Sequence, residues 1–308
     1  MIRMLGCVVL CACAAQQVET VVVPPVPPPS RASSTAVIGC VPALPSGAAE
    51  RRRALESALR QDAQCRGAYV ELGRVLRETG DYENARRNLH RALAIEADDP
   101  DVLAELALNH LAVGHLELAY VTALHAEEVD ARHAPTQNVL GLIAIRRGEV
   151  AEAYRRFVRA TEVADLSELW MNRGQIALSV RAYEDAGLSF RRVTFLRPDL
   201  YDGWIGLGVA HRGLAEVEEA RAAYQRAIAL EDARPEAHYN LAVLIHDHSS
   251  LDLSAIRDAR AHYEDFLSRA SGPRWADARS GVERSCEGCR PGRLELLRQL
   301  EIALSAPE

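Results

Sequence analysis

A spacing of about 34 residues recurs along this chain and restricts the folds that it can adopt. Alanines return at intervals of 34, 34, 33, 34 and 39 residues, at Ala85, Ala119, Ala153, Ala186, Ala220 and Ala259. A second column has the same intervals, at Ala92, Ala126, Ala160, Val193, Ala227 and Phe266. A unit of this length that repeats several times is typical of solenoids, in which each unit buries its apolar face against its neighbours.

Two further columns predict the structure of each unit. One holds mostly larger side chains, at Leu89, Ala123, Phe157, Phe190, Tyr224 and Tyr263. The other column consists of residue pairs whose second member is small, at Leu72-Gly73, Leu106-Ala107, Leu140-Gly141, Arg173-Gly174, Leu207-Gly208 and Leu241-Ala242. Glycines stand between these columns at Gly80, Gly114 and Gly148. We expect two helices joined by a turn, which approach closely at the small residues while the larger ones pack into the next unit.

This pattern resembles the tetratricopeptide repeat (TPR), a helix–turn–helix unit of 34 residues. Its opening signature is present as Tyr69-x-x-Leu72-Gly73, Trp170-x-x-x-Gly174 and Trp204-x-x-Leu207-Gly208. The resemblance implies an all-α fold, a right-handed superhelix of about six repeats with helical caps. We place a solenoid at 48–273, with a capping helix at 48–64 and repeats at 66–99, 100–133, 134–166, 167–200, 201–234 and 235–273.

Two repeats depart from the pattern. The fourth has Arg181 in place of the turn glycine and Arg173 in place of the leucine, and the sixth carries about five extra residues near 248–252. After the repeats, Pro291-Gly292 begins a predicted helix that ends near Ala303. We assign residues 274–308 to a C-terminal cap that contains cysteines.

The first residues have the layout of an export signal. Arg3 precedes a short apolar run, which ends in the tetrad Leu10-Cys11-Ala12-Cys13. The tetrad resembles a bacterial lipobox, which implies a signal peptide at 1–12 and lipidation, including palmitate, at Cys13. Ala14 then takes the place of an inner-membrane retention aspartate, so the resemblance implies outer-membrane localisation with the solenoid facing the periplasm. Cys11 is a competing site, and an ordinary cleaved signal or a misassigned start codon is the alternative.

Residues 13–47 are predicted to form a lipidated, proline-rich tether. The segment 21–30 contains Pro24, Pro25, Pro27, Pro28 and Pro29, and proline lacks the amide donor that helices and interior strands need. A ligand for a proline-binding domain is the alternative interpretation of this segment.

Composition excludes several chemistries. All 36 basic residues are arginine, so the chain has no lysine for a phosphate-binding loop or a Schiff base. The net charge of −7 makes nucleic acid an unexpected partner. Motifs for metalloproteases, serine hydrolases and nucleotide binding are lacking. We therefore expect no enzyme, no cofactor, no metal and no small-molecule substrate.

The remaining candidates for chemistry are cysteines and histidines. Cys40, Cys65, Cys286 and Cys289 make an even number in an oxidising compartment, and we predict the pairs Cys40–Cys65 and Cys286–Cys289. The last two also form a CxxC motif, so redox or metal chemistry is the alternative there. His110 and His211 are predicted core residues, and the segment from His246 to His248 is a weak metal candidate.

The resemblance also implies a binding groove, lined by the fifth, ninth and twelfth residues of the repeats. These include Arg74, Leu108, Leu111, Asn138, Leu142, Ile145, Met171, Gln175, Leu178, Val209, Arg212 and Tyr239. The middle of the groove is apolar, and arginines lie towards both ends. We expect an exposed apolar strip that binds an apolar helix or strand of a partner. The alternative is a groove filled by the chain's own tether or its last helix.

A lipoprotein made of such repeats resembles the type IV pilus pilotins and the TPR lipoproteins of gliding-motility complexes. The resemblance implies a scaffold at the outer membrane that recruits a protein of a pilus, secretion or motility machine. A periplasmic redox or metal-handling protein that uses Cys286 and Cys289 is the alternative.

Overall fold

The computed structural model describes residues 40–248, 252–283 and 292–305, which fold as helices and loops. The helices within these ranges are α1 (Ala48–Gln61), α2 (Arg66–Glu78), α3 (Tyr82–Ile95), α4 (Pro100–Val113), α5 (Leu116–Val129), α6 (Ala134–Arg147), α7 (Val150–Val163), α8 (Ser167–Ser179), α9 (Tyr183–Leu196), α10 (Tyr201–Gly213), α11 (Val217–Leu230), α12 (Pro235–His248), α13 (Leu253–Arg269), α14 (Ala276–Glu283) and α15 (Arg293–Ser305). The all-α prediction is confirmed. The described residues divide into two compact units, at 40–231 and 232–305.

In the first unit, helices α2 to α11 form five helix–turn–helix pairs. Each second helix also packs against the first helix of the following pair. The alanine columns explain this arrangement, because Ala85, Ala119, Ala153, Ala186 and Ala220 are fully buried between helices. Small side chains at these positions let two helices meet without a cavity.

Two glycines show how closely the paired helices approach. A Cβ atom added at Gly141 would lie 2.6 Å from the Phe157 ring, and one at Gly208 would lie 2.4 Å from the Tyr224 ring. The expected close approach at the small residues is therefore confirmed. The Phe190 ring makes such a close contact in two repeats, because it fills the space beside both Gly174 and Gly206.

The turns inside the pairs share a left-handed backbone conformation. Gly80, Gly114 and Gly148 have φ between 77° and 90°, while Arg181 and Ala215 occupy the equivalent turns with φ of 60° and 61°. The left-handed conformation destabilises a residue with a Cβ atom by roughly 1–2 kcal/mol. The packing of the helices on either side therefore stabilises this conformation in the fourth and fifth turns.

Helix α1 covers the N-terminal side of α2, with Leu55 fully buried against it. Arg51 donates to Glu78 at 2.8 Å across the same contact. Cys40 and Cys65 form a disulfide that encloses α1, which is the pairing expected from the sequence. Closing a loop of 25 residues stabilises the fold by about 3 kcal/mol through the lost entropy of the unfolded chain.

The second unit has its own aromatic core. The Phe266 ring of α13 lies 5.0 Å from Tyr239 of α12 and 5.7 Å from Trp275, measured between ring centres. Helix α15 packs against α13 through Leu297, which is fully buried. Glu301 of α15 accepts hydrogen bonds from Arg257 at 2.9 Å and Arg260 at 2.6 Å. The predicted last helix is therefore present and covers α13.

Within the described ranges, every helix is too short or too polar to span a lipid bilayer.

Candidate functional site

The first helices of the five pairs form one continuous surface, which we call the inner face. It comprises α2, α4, α6, α8 and α10. Helix α2 contacts α4, α4 contacts α6, and α8 contacts α10. What this surface can bind depends on the side chains that face the neighbouring first helix. Side chains that face the second helix of the same repeat do not contribute.

The inner face carries eleven of the twelve predicted groove residues: Arg74, Leu108, Leu111, Asn138, Leu142, Ile145, Met171, Gln175, Leu178, Val209 and Arg212. The twelfth, Tyr239, lies on α12 in the second unit, where its ring contacts Phe266. Whether any of these residues contacts a partner stays a prediction.

The prediction that the apolar strip of the groove is exposed is wrong. Leu108 and Leu111 each expose only 8% of their surface, and they belong to one hydrophobic cluster with residues of α5 and α6. Leu142 is partly buried against this cluster, and Ile145 is partly buried against the next one. The cause is the direct contact between successive first helices, which places these leucines between helices. A charged replacement at Leu142 would therefore test folding more than partner binding.

Charged groups at the N-terminal end of the inner face are paired with one another. Glu105 of α4 accepts from Arg74 Nε at 2.9 Å and from Arg77 Nη2 at 3.1 Å, and Arg74 also donates to Glu71 at 2.8 Å. Burial works to raise the pKa of Glu105, but the two arginine charges outweigh it and the pKa falls below its usual range. The arginines expected at this end of the groove are therefore neutralised within the fold.

Glu168, at the start of α8, behaves in the opposite way. Burial raises the pKa of its carboxyl group above the usual range. Hydrogen bonds from its own backbone amide and from Ser167, and the charges of Arg197 and Arg74, oppose the rise without cancelling it. The carboxylate form is thus disfavoured at this point of the inner face.

Amide side chains replace charges between α6 and α8. Asn172 Nδ2 donates to Asn138 Oδ1 at 2.7 Å, and both side chains are buried. Gln175 lies one turn further along α8, and neither its amide nitrogen nor its amide oxygen has a hydrogen-bond partner among the residues that the structure describes. A buried amide without partners is unusual, because such a group loses its hydration without compensation.

Arg173, the departure from the leucine column, is accommodated by polar contacts. Its guanidinium donates to Asp185 Oδ2 at 3.2 Å and to Thr161 at 3.0 Å. It also lies 5.2 Å from the centre of the Trp170 ring. Arg173 therefore links α8 to its neighbours and is not available to a ligand.

The most exposed apolar side chains of the first unit lie on second helices, which the sequence did not single out. Phe195 and Leu188 of α9 expose 72% and 60% of their surfaces, and Val121 of α5 exposes 61%. They are scattered over two helices that are not adjacent, and isolated apolar residues on a surface are ordinary.

His110 and His211 are buried, in agreement with their prediction as core residues. His211 Nδ1 contacts Glu216 Oε2 at 2.5 Å. His246 Nδ1 lies 3.4 Å from the Tyr263 hydroxyl group. The lipidation candidate Cys13 and the CxxC cysteines Cys286 and Cys289 lie outside the described residues.

Comparisons with protein families agree with the helix pairs. Models of the tetratricopeptide repeat match residues 66–108, 138–201 and 201–233. The chain contains tetratricopeptide repeats. The matched segments include α2, α3, α7 to α11 and parts of α4 and α6.

Two curated proteins resemble parts of the TPR region. The Hsp70-Hsp90 organizing protein of Triticum aestivum is 34% identical over 92 residues, which is 30% of this chain and 16% of that protein. The BBSome complex member BBS4 of Bos taurus is 22% identical over 233 residues, which is 64% of this chain and 44% of that protein. The chain thus spans less than half the length of either relative.

Solved structures share the TPR fold. The pilF protein of Pseudomonas aeruginosa superposes with a TM-score of 0.59 at 20% identity, over 72% of this chain and 99% of that one. A chain of the Cut9-Hcn1 assembly superposes with a TM-score of 0.55 at 15% identity, over 64% of this chain and 39% of that one. At these identities the likeness is one of fold.

Proposed function

We propose that the protein is a non-enzymatic scaffold that binds a segment of another protein on the inner face, beside Gln175. The observation that carries the proposal is the amide group of Gln175, which is buried and has no partner within the described part of the chain. An amide supplies both donors and an acceptor, and an extended peptide offers the complementary backbone groups.

Ile145 of α6 is only partly buried, so an apolar residue of a partner segment can contact it. Met171 and Leu178, which flank Gln175 on α8, expose only 2% and 7% of their surfaces and are buried within the fold. Because Gln175 forms no side-chain hydrogen bond with the described residues, a change of its side-chain torsion towards a partner would break none. The partner would then satisfy a group that the fold leaves unpaired.

We further propose that the scaffold is lipid-anchored through Cys13 in the bacterial outer membrane and serves an envelope machine for gliding motility, type IV pilus function or secretion. The lipobox-like tetrad supports the anchor. The Cys40–Cys65 disulfide supports an oxidising compartment, because such bonds persist mainly outside the cytoplasm.

Replacing Gln175 with methionine tests the binding proposal, because methionine keeps the length of the side chain and removes its hydrogen-bonding groups. We expect binding of the partner to be lost while the melting temperature stays equal or rises by up to a few degrees. In-cell crosslinking followed by mass spectrometry would identify the wild-type partner and compare its yield.

Tyr224→Phe is the matched control. Its hydroxyl group is also buried and has no partner in the described ranges, but Tyr224 lies on α11 against Gly208 and not on the inner face. This variant should keep the same crosslinks. Wild-type crosslinks in Gln175→Met would contradict the proposed binding site.

Replacing Cys13 with serine tests the anchor. We expect the mature protein to move from the membrane fraction to the soluble fraction, because the acyl chains are the proposed attachment. Retention on the membrane after a salt wash would contradict lipidation at Cys13. Free-thiol titration of Cys286 and Cys289 addresses the alternative redox function, since an active pair would be readily reduced.

A further inference from the structure

Two histidines and an aspartate meet in the second unit, on the contact between α12 and α13. His238 belongs to α12, and His262 and Asp265 lie three residues apart on α13. That spacing places two side chains on one face of a helix. One nitrogen from each histidine and one oxygen from the aspartate all lie within 4.8 Å of one another.

The distances fit the coordination shell of a small metal ion. The Nδ1 atoms of His238 and His262 are 3.3 Å apart, and His238 Nδ1 is 3.8 Å from Asp265 Oδ2. Zinc holds nitrogen ligands at about 2.0–2.1 Å in a tetrahedral arrangement, which separates neighbouring ligand atoms by roughly 3.3–3.4 Å. The two imidazole nitrogens are therefore already at the separation that the ion requires.

The surrounding side chains orient these ligands. His238 Nε2, the nitrogen that would not bind the ion, lies 3.3 Å from Asp232 Oδ1, which is within ion-pair distance although the two atoms are not aligned as a hydrogen bond. Histidine ligands of metals usually donate their second N–H to such a carboxylate, which fixes the tautomer and the ring orientation.

Arg269 holds both carboxylates in place. It donates to Asp265 Oδ1 at 2.6 Å, which leaves Oδ2 directed towards His238, and to Asp232 at 2.9 Å. Asp232, Asp265 and Arg269 together carry a formal charge of −1, which would attract a cation. His238 is 2% exposed, while His262 and Asp265 are partly open to solvent.

We propose that His238, His262 and Asp265 bind one divalent zinc ion, with water in the fourth position and Asp232 and Arg269 as positioning residues. The ligand set of two imidazoles and one carboxylate is typical of zinc sites that keep an open position. The site belongs to the second unit, whereas the inner face belongs to the first, and the proposal does not depend on the proposed scaffold function.

Titration calorimetry of the full chain with zinc tests the proposal. The protein should carry Cys286→Ser and Cys289→Ser so that those thiols cannot compete. We expect one ion per chain, and cobalt bound in its place should give the intense visible absorption of a four-coordinate ion. His262→Gln and Asp265→Asn should each weaken binding more than about 100-fold, beyond the 10–100-fold that we expect for Asp232→Asn.

His125→Gln is the matched control, because His125 is an exposed histidine that contacts Asp98 at 3.3 Å in the first unit. It should bind zinc as tightly as the parent protein. Circular dichroism would verify that each variant remains helical. Absence of saturable zinc binding by the parent would overturn the proposal and leave only a hydrogen bond between the two imidazoles. Parental affinity in both ligand variants would overturn it as well.

Discussion

The inner face changes character between its first and second halves. Where α2 meets α4, the polar groups are charged, and Glu105 is paired with both Arg74 and Arg77. Where α6 approaches α8, the polar groups are neutral amides, and none of the described residues forms a hydrogen bond with the Gln175 amide. The two halves occupy equivalent positions of the repeat but use them in different ways.

The difference follows from the cost of burial. A buried charge without a counter-charge is strongly destabilising, so the arginines of the first half require Glu105 in order to fold. A buried amide without partners costs only about 1–3 kcal/mol, which the fold tolerates. Paired charges therefore stabilise one half, whereas the unpaired amide of the other half is the group through which we propose that a partner binds.

Replacing Glu105 with glutamine should have the largest effect, because it leaves Arg77 buried without a counter-charge. We expect a loss of about 3 kcal/mol and a melting temperature lower by roughly 6–12 °C, measured by circular dichroism. Glu71→Gln is the control, since Arg74 then keeps Glu105. If the melting temperature of Glu71→Gln fell by the same amount, charge pairing by Glu105 would not be the interaction that stabilises the first half.

Replacing Asn172 with alanine should have an intermediate effect. The change removes the donor to Asn138 Oδ1 and leaves that oxygen buried without a partner, at a cost of about 1–3 kcal/mol. Urea denaturation would measure the loss. Changing Asn138 to alanine as well should cost less than the sum of the single changes, because the two side chains interact. Additive losses would show that the amides act independently.

Replacing Glu168 with glutamine should have the smallest effect, and one that depends on pH. The raised pKa means that folding favours the neutral carboxyl group, so its stabilising contribution is present at low pH and is lost as the pH rises through the folded-state pKa. The variant should melt up to a few degrees higher than the wild type at pH 7. The two proteins should melt alike below about pH 4, where the carboxyl group is protonated in both states. A difference that is the same at both pH values would rule out this charge effect.

The helix pairs could be predicted because their determinants are local in the sequence. Ala85 and its equivalents, and glycines such as Gly141, specify close contacts inside one repeat or between adjacent repeats. The turn at Arg181 was also visible, as a missing glycine, although not its left-handed conformation.

The surface of the inner face could not be predicted in the same way. The burial of Leu108 and Leu111 depends on how closely successive first helices pack, which no column of residues encodes. Glu105 pairs with residues 28 and 31 positions earlier in the chain, on a different repeat. The cluster of His238 and His262 spans the irregular sixth repeat, where extra residues near 248–252 break the register that relates one repeat to the next.

The Cys40–Cys65 disulfide also determines how the protein responds to mechanical force. Helix α1 lies inside the covalent loop that the bond closes, and Cys65 stands directly before α2. Tension applied to the chain ahead of Cys40 would pass through the two sulfur atoms to the start of α2. Helix α1 would bear none of that load, so pulling on the N-terminal segment could not peel it from the repeats while the bond stays intact.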